Sequence, residues 1–285
     1  MKIPSPTIKA VINTGRFEIP YRVYENDGPH LICLNGIQQS MAMWQGFIAR
    51  FASDYRIILF NFPAQGNGRA LSGPTRASLR EEVDILYEVM KKTGANSEVS
   101  LCTASWGGVI ALAFAAKHPY AVKRLLLGSI GTRPNQKMIE IIEEGLSLGT
   151  DNREQFAAHL ITSFGQNLPE SIKKKIETQF RTLSETNLQA FCEHGLKVIS
   201  AQKLSDHIDF KSITVETVII RGENDVIVDL EDVHFLSSQI PNCELKIIKN
   251  VGHFLHLESD VVLDIYQELL SNGTSQAHNA LMAQC

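Results

Sequence analysis

The clearest indication of the fold is the stretch Leu101-Cys102-Thr103-Ala104-Ser105-Trp106-Gly107-Gly108. An apolar, β-prone run leads into Ser105, and a Gly-Gly step after it opens an apolar helical run. A serine between a strand and a helix lies on a sharp turn, so its hydroxyl points away from the backbone into the cleft above the sheet. The stretch therefore predicts a strand–turn–helix unit whose serine is suited to act as a nucleophile.

Strand and helix patterns alternate on both sides of this unit. Apolar runs predict strands over residues 9–13, 16–25, 30–34, 55–60, 98–104, 122–128, 215–221 and 244–251. Helical spacing of apolar residues predicts helices over residues 43–51, 78–92, 106–117, 231–239 and 261–270. Near-continuous apolar strands that alternate with helices are typical of an α/β fold, with a mostly parallel sheet covered by helices on both faces.

The alternation is interrupted once, between residues 132 and 210. This part has no strand pattern, and its helical stretches cover residues 136–146, 153–164, 169–183 and 187–201. We expect a helical lid at 132–210, inserted before the last two strands of a core formed by residues 1–131 and 211–285. Residues 272–285 are small and polar, so we expect this tail to fray.

The overall composition excludes several classes of protein. The chain has 285 residues, of which 44% are hydrophobic and 20% charged, and its net charge is −4. This balance gives no electrostatic reason to expect nucleic-acid binding, and no apolar run approaches the roughly 18 residues that a membrane span requires. The five cysteines form no CxxC pair, which together with the absence of a signal-peptide pattern favours a cytoplasmic protein with free thiols.

Two further residues complete the chemistry that Ser105 requires. The pKa of a serine hydroxyl is far too high for unaided ionisation, so Ser105 requires a neighbouring base. His253 follows the last predicted strand, and Asp225 follows the strand before it. Loops at the carboxyl ends of parallel strands gather at one edge of a sheet, so the three residues are expected to meet there. The chain order Ser105, Asp225, His253 is the order of an α/β-hydrolase triad.

Each of these residues also has an ordinary structural interpretation. Ser105 could cap a helix, and Thr103 occupies the position where the Gly-x-Ser-x-Gly pattern has glycine. Asp225 could be a helix-capping or turn residue, with Asp229 and Glu231 as neighbouring alternatives. His253 could be a core histidine whose hydrogen bonds are satisfied. The joint occurrence at successive strand ends is what favours catalysis.

An oxyanion hole needs two backbone N–H donors. The residue after the nucleophile, Trp106, is expected to supply one, and Ile37 in the loop Asn35-Gly36-Ile37 is expected to supply the other. Gly36 lets the backbone approach closely.

His256 and Glu258 follow His253 in the sequence, and we expect them to position the loop that carries it.

Four motifs resemble one group within the α/β hydrolases: Leu34-Asn35-Gly36, Phe60-Asn61-Phe62-Pro63, Ala104-Ser105-Trp106-Gly107-Gly108 and Gly252-His253-Phe254-Leu255. They are similar to RhlA-type 3-(3-hydroxyalkanoyloxy)alkanoate synthases and to PhaG-type 3-hydroxyacyl transferases. Asn61, where the family usually has aspartate, and Ala64-Gln65 depart from the family pattern.

The resemblance implies an acyltransferase without metal or cofactor, in which the Ser105–Asp225–His253 triad transfers a 3-hydroxyacyl group from acyl carrier protein or coenzyme A. The acceptor would be the hydroxyl of a second 3-hydroxyacyl unit, which gives an ester dimer of the kind used in rhamnolipid biosynthesis. Residues expected to contact the substrate are Asn35, Gly36, Phe62, Met138, Phe164, His194 and Phe254.

Three alternatives remain open at this point. The same scaffold supports a plain hydrolase (an esterase, lactonase or thioesterase), a transacylase between the two carriers, and an inactive fold used for binding. Acyl carrier proteins are acidic, so the basic residues of one lid helix are candidates for docking; they are Lys173, Lys174, Lys175 and Arg181. A solvated helix face is the simpler explanation of these residues.

Overall fold

The computed structural model describes residues 3–37, 39–148, 152–200 and 203–282. Its strands are β1 (Ile8–Asn13), β2 (Phe17–Tyr24), β3 (His30–Leu34), β4 (Arg56–Phe60), β5 (Arg69–Ala70), β6 (Val99–Ala104), β7 (Val122–Gly128), β8 (Glu216–Gly222) and β9 (Cys243–Ile248). Its α-helices are α1 (Gln45–Phe51), α2 (Leu79–Thr93), α3 (Trp106–Lys117), α4 (Gln136–Ser147), α5 (Arg153–Phe164), α6 (Glu170–Thr182), α7 (Glu185–Ser200), α8 (Leu230–Gln239) and α9 (Val261–Met282).

The strands form one sheet in the order β1-β2-β4-β3-β6-β7-β8-β9. The run from β4 to β9 is parallel, whereas β1, β2 and β4 pair antiparallel. The chain moves from β3 outward to β4 and then back across to β6, so β3 and β6 are neighbours from which the connections diverge. The carboxyl ends of such a strand pair form a crevice, which is where ligands bind in open α/β sheets.

Helices cover both faces of the sheet, which confirms the predicted fold class. On one face α1 and α9 bury Phe47, Phe51 and Tyr266 against the strands. On the other face α2, α3 and α8 bury a second cluster, to which Ile110 and Phe114 belong. Strands covered on both sides need no polar face, and this explains their continuous apolar sequence.

The turn between β6 and α3 depends on a glycine. A Cβ atom at Gly107 would lie 2.5 Å from the carbonyl oxygen of Leu34, the last residue of β3. Only glycine therefore lets the start of α3 pack this closely against the neighbouring strand. This contact brings the loop after β3 beside Ser105.

Four helices, α4 to α7, lie between β7 and β8. They bury Phe156, Phe180 and Leu188 in the same apolar cluster as α3. Residues 149–151, 201 and 202 of the predicted lid lie outside the described residues, and the division into core and lid stays a prediction.

Most predicted element ends lie within two residues of the observed ones, and the larger differences concern two element ends and one strand. Strand β9 ends at Ile248 rather than at 251, and α9 continues to Met282 rather than stopping at 270. Strand β5, which pairs with β2, was not predicted because its two residues show no periodicity. Residues 283–285 of the predicted tail lie outside the described residues. Within the described ranges, every helix is too short or too polar to cross a bilayer.

Candidate active site

Ser105 lies at the turn between β6 and α3 in a strained backbone conformation, with φ 49° and ψ −117°. Its N–H donates to the carbonyl of Gly128 at 2.8 Å, and its own carbonyl accepts the N–H of Gly108 at 2.8 Å. A positive φ costs a residue with a side chain about 1 kcal/mol or more and persists where the surrounding structure enforces it. The turn is therefore fixed by both neighbouring strands and by α3.

His253 and Asp225 lie in the loops after β9 and β8, and they are hydrogen-bonded. The His253 Nδ1 to Asp225 Oδ2 distance is 2.9 Å, and both side chains are almost completely buried. The N–H of Ile227 donates to the other carboxylate oxygen at 3.1 Å. These contacts fix the imidazole orientation and leave Nε2 as the atom available to a substrate or nucleophile.

The environment of Asp225 keeps it ionised. Burial alone would raise the pKa of its carboxyl group, but the facing His253, the hydrogen bonds from His253 and Ile227, and the nearby Arg221 together lower that pKa below its ordinary value. The two neighbouring acids do not compete for His253. Asp229 accepts the side-chain amide of Asn135 at 2.8 Å, and Glu231 is exposed on α8.

Ser105 and His253 line the same narrow cavity. The hydrogen bonds of the described residues do not include one between the Ser105 hydroxyl and His253. Such bonds are often long without substrate and tighten when it binds.

Glu258 supports the loop of His253, as the sequence suggested. Its carboxylate accepts the N–H of Gly252 at 2.6 Å and that of Phe254 at 2.9 Å, so it holds the residues on both sides of the histidine. His256 stacks on Trp44 with ring centres 4.8 Å apart. Burial lowers the pKa of His256 to about 4, and the Met43 carbonyl opposes this shift only in part, so this imidazole stays neutral at neutral pH.

Two backbone N–H groups are available beside Ser105. Ile37 and Trp106 line the same larger cleft as Ser105, and neither N–H donates to an acceptor within the described ranges. The two N–H groups are therefore candidate donors for an oxyanion.

This larger cleft is mostly apolar. It holds about 570 Å³ of empty space, including the part open to solvent. Its apolar side chains come from the loops after the strands, from α3, α4 and α7, and from the chain between α7 and β8; they include Ile37, Trp106, Val109, Ile130, Met138, Val198, Leu204, Ile227 and Val228. A cleft of this composition can hold an acyl chain.

Four of the predicted substrate contacts lie near Ser105 or His253. Met138 lines the larger cleft, and Phe254 lines the narrow cavity. Phe164 stacks on Phe254 with ring centres 5.6 Å apart and meets the His253 ring edge-on at 6.1 Å. His194 is buried on α7, edge-on to Trp106 at 4.7 Å.

The other three predicted contacts, Asn35, Gly36 and Phe62, line neither opening. Asn35 is fully buried; its amide nitrogen donates to the Phe60 carbonyl at 2.9 Å, and its oxygen accepts the Trp44 indole N–H at 2.8 Å. Phe62 is also buried and packs against Phe60. Asn35 and Phe62 thus hold the loops after β3 and β4 together, Asn35 through its hydrogen bonds and Phe62 through its packing.

Sequence reasoning missed Ser129, which follows β7 and lines the larger cleft. Its side chain is buried, its φ is 50°, and its hydroxyl has no hydrogen-bond partner within the described ranges. Thr132, the next hydroxyl along this wall, already bonds to Asp232. A buried hydroxyl without a hydrogen-bond partner lowers the stability of the fold. Sequence reasoning could not find Ser129, because a single serine after a strand matches no known motif.

The predicted docking residues lie on or near the exposed side of α6. Lys173 forms an ion pair with Glu170 at 2.9 Å, and Arg181 approaches Glu154 at 3.7 Å. Lys174 and Lys175 are exposed. Neighbouring carboxylates thus neutralise part of the positive charge. The described residues contain no cluster of three or more side chains able to hold a metal ion.

Residues 29–260 match the family model described as alpha/beta hydrolase fold. The chain belongs to the α/β-hydrolase family. This confirms the predicted family, and the match spans the parallel sheet and all the catalytic candidates of this α/β hydrolase.

Several curated proteins are similar to this chain over most of its length. An (R)-3-hydroxydecanoyl-ACP:CoA transacylase of Pseudomonas aeruginosa is 24% identical over 260 residues, which cover 90% of this chain and 86% of the relative. A pimeloyl-[acyl-carrier protein] methyl ester esterase of Nitrosospira multiformis is 24% identical and covers 80% and 88%. The transacylase match confirms the resemblance to PhaG-type enzymes.

Solved structures show the same fold. The α/β-hydrolase enzyme MGS-M2, from a Medee basin deep-sea metagenome library, superposes with a TM-score of 0.75 at 19% identity over 90% of this chain and 97% of its own.

Proposed function

We propose that this α/β hydrolase is a serine-triad acyltransferase that acts on 3-hydroxyacyl thioesters. The observation that carries the proposal is the buried His253–Asp225 hydrogen bond at 2.9 Å, at the edge of the cavity that Ser105 also lines. The curated relatives named 3-hydroxydecanoyl transacylases support the substrate class. The apolar cleft beside Ser105 supports an acyl substrate rather than a polar one.

In the first half-reaction, the Ser105 oxygen attacks the thioester carbonyl carbon while His253 Nε2 takes the hydroxyl proton. Asp225 stabilises the resulting imidazolium, and the N–H groups of Ile37 and Trp106 bind the oxyanion. When the tetrahedral intermediate collapses, the carbon–sulfur bond breaks and His253 returns the proton to the leaving thiolate. The acyl group remains on Ser105 as an ester.

In the second half-reaction, an acceptor attacks the acyl-serine and His253 removes the acceptor's proton. The acceptor that we propose is the 3-hydroxyl group of a second 3-hydroxyacyl unit, which gives an ester-linked dimer and regenerates the Ser105 hydroxyl. The thiol of coenzyme A is the second candidate, because the curated relatives carry the name of an ACP:CoA transacylase. Both reactions require that water be excluded from the acyl-serine.

The products distinguish these reactions. The protein is incubated with 3-hydroxydecanoyl-acyl carrier protein, with and without coenzyme A, and the products are identified by mass spectrometry. We expect ester-linked dimers; 3-hydroxydecanoyl-coenzyme A formed only with added coenzyme A would identify the transacylase. Free 3-hydroxydecanoic acid as sole product would replace the proposal with a thioesterase. Ser105→Ala is the blank for all three outcomes.

The unpaired hydroxyl of Ser129 is a candidate contact for the 3-hydroxyl group of the substrate. Pairing would relieve the cost of the buried hydroxyl. Ser129→Gly is therefore expected to lower the preference for a 3-hydroxyacyl thioester over the unsubstituted acyl thioester by about 10-fold. The measurement is the ratio of the two kcat/KM values at equal chain length.

Glycine suits the positive φ at position 129, so the variant should fold at least as well as the wild type. Ser129→Ala also lacks the hydroxyl but keeps a Cβ, so it should show the same change in preference. Ratios equal to the wild-type ratio in both variants would exclude Ser129 from hydroxyl recognition.

We also propose that an acidic carrier protein docks on the lysines of α6. Lys173 already pairs with Glu170, so Lys174 and Lys175 are the main candidates for this contact.

A further inference from the structure

The side chain of Gln65 joins two loops next to Ser105. Gln65 lies in the loop after β4 and is only 6% exposed. Its Nε2 donates to the carbonyl oxygen of Gly36 at 2.8 Å. Its Oε1 accepts the N–H of Phe62 and the side-chain amide of Asn35, both at 3.3 Å. Both ends of the amide group are therefore engaged, so its orientation is fixed.

The Gly36 carbonyl and the Ile37 N–H belong to the same peptide group. This group is planar and trans, so its C=O and N–H point in opposite directions. Whatever holds the Gly36 oxygen thus determines where the Ile37 N–H points. Gln65 supplies the shorter of the two bonds to that oxygen; the N–H of Gln39 supplies the other at 3.3 Å.

The opposite side of this loop is held by other contacts. The Gly36 N–H donates to the side-chain oxygen of Gln39 at 2.6 Å. A Cβ atom at Gly36 would lie 3.1 Å from the carbonyl oxygen of Ala104, the residue before Ser105. The loop of Gly36 and Ile37 therefore packs closely against the end of β6. A rotation of the peptide plane between these two residues would move the Ile37 N–H relative to Ser105.

We propose that Gln65 is a positioning residue that fixes the Gly36–Ile37 peptide and thereby aims the Ile37 N–H at the oxyanion. The proposal rests on the proposed function, because it assumes that Ser105 forms a tetrahedral intermediate. Donors that are oriented in advance stabilise a transition state without reorganisation, whereas a freely rotating donor does not. Gln65 would therefore act on kcat and leave substrate binding nearly unchanged.

The test uses Gln65→Glu, which has nearly the same shape and keeps an acceptor for Phe62 and Asn35. An ionised carboxylate cannot donate to the Gly36 oxygen, so we expect kcat to fall by about 10- to 100-fold, with KM within about twofold of the wild type. Burial raises the pKa of the introduced carboxyl. Once protonated, that carboxyl can donate again, so the ratio of variant to wild-type kcat is expected to rise as the pH is lowered.

Two further variants separate positioning from packing. Gln65→Met keeps the bulk of the side chain without a donor at any pH, so its kcat ratio should stay low across the pH range. Asn67→Ala is the matched control: exposed Asn67 accepts a bond from Asn61 at 3.0 Å in the same loop but has no bond to Gly36. Its kcat is expected within about twofold of the wild type. Thermal unfolding is measured for every variant.

The outcomes are distinguishable. If the wild-type protein shows no Ser105-dependent turnover of acyl thioesters, the proposed function and this inference fail together. If the wild type is active but Gln65→Met at any pH, or Gln65→Glu at the alkaline end of the pH range, keeps its kcat within twofold or changes only KM, the inference fails alone. A loss of kcat in Gln65→Glu that does not recover at lower pH relative to the wild type would also overturn it.

Discussion

Replacement of Ser105 by alanine is expected to lower kcat for acyl thioesters by about 10⁴- to 10⁶-fold. Alanine removes the attacking oxygen, so the acyl-enzyme cannot form, and only the stabilisation by the backbone N–H groups of Ile37 and Trp106 remains. Turnover is measured as release of free thiol. Labelling with a fluorophosphonate, which reacts with activated serines, should disappear in the same variant.

The backbone strain at position 105 supplies a control for folding. Alanine carries a Cβ as serine does, so at φ 49° the thermal unfolding of Ser105→Ala should match that of the wild type. Ser105→Gly should be equally inactive but more stable by about 1 kcal/mol, because glycine adopts a positive φ without steric cost. If the Ser105→Ala variant is folded and its turnover falls by less than about 100-fold relative to the wild type, the assignment of Ser105 as the nucleophile is wrong.

Replacement of Asp225 by asparagine is expected to lower kcat by about 10³- to 10⁴-fold. An amide cannot offset the charge of the imidazolium that forms on His253, and its N–H group favours the wrong tautomer of the ring. The matched control is Asp229→Asn, since Asp229 binds Asn135 rather than His253. Its kcat should stay within about twofold of the wild type. The reverse ranking of the two variants would assign the triad acid to Asp229.

The stability of these variants should depend on pH in a defined direction. The pKa of Asp225 is lower in the folded protein than its ordinary value, so its carboxylate stabilises the fold at pH values above about 3.9, the pKa of an unfolded aspartate. This contribution is lost as the pH falls through the lower, folded-state pKa. The difference in unfolding free energy between wild type and Asp225→Asn should therefore shrink in acid.

The elements nearest Ser105 could be predicted from sequence because their boundaries are marked locally. The predicted bounds of β3, α3 and β7 agree with the observed ones, since each apolar run ends at a glycine, a polar residue or a turn. The positions of Asp225 and His253 followed from the rule that strand ends share one edge. The structure brings these two side chains into contact.

The side chains that support the site could not be predicted in the same way. Gln65 and Asn35 are 30 positions apart, and their contact depends on how the loops after β3 and β4 pack against each other. The resemblance to acyltransferases predicts Asn35 at the substrate, whereas in the structure its polar atoms bond to the Trp44 indole and the Phe60 carbonyl. Sequence patterns predict that a residue lies in a loop, but the direction of its side chain depends on contacts with distant parts of the chain.

The walls of the larger cleft have two origins in the chain. Ser105, Trp106 and Ile37 follow strands of the parallel sheet, whereas Met138, Val198 and Leu204 belong to the segment between β7 and β8. Substitutions in that segment can lengthen, shorten or bend this apolar space while Ser105 and its neighbours at the strand ends stay in place. Substrate range can consequently diverge among homologous enzymes much faster than their chemistry.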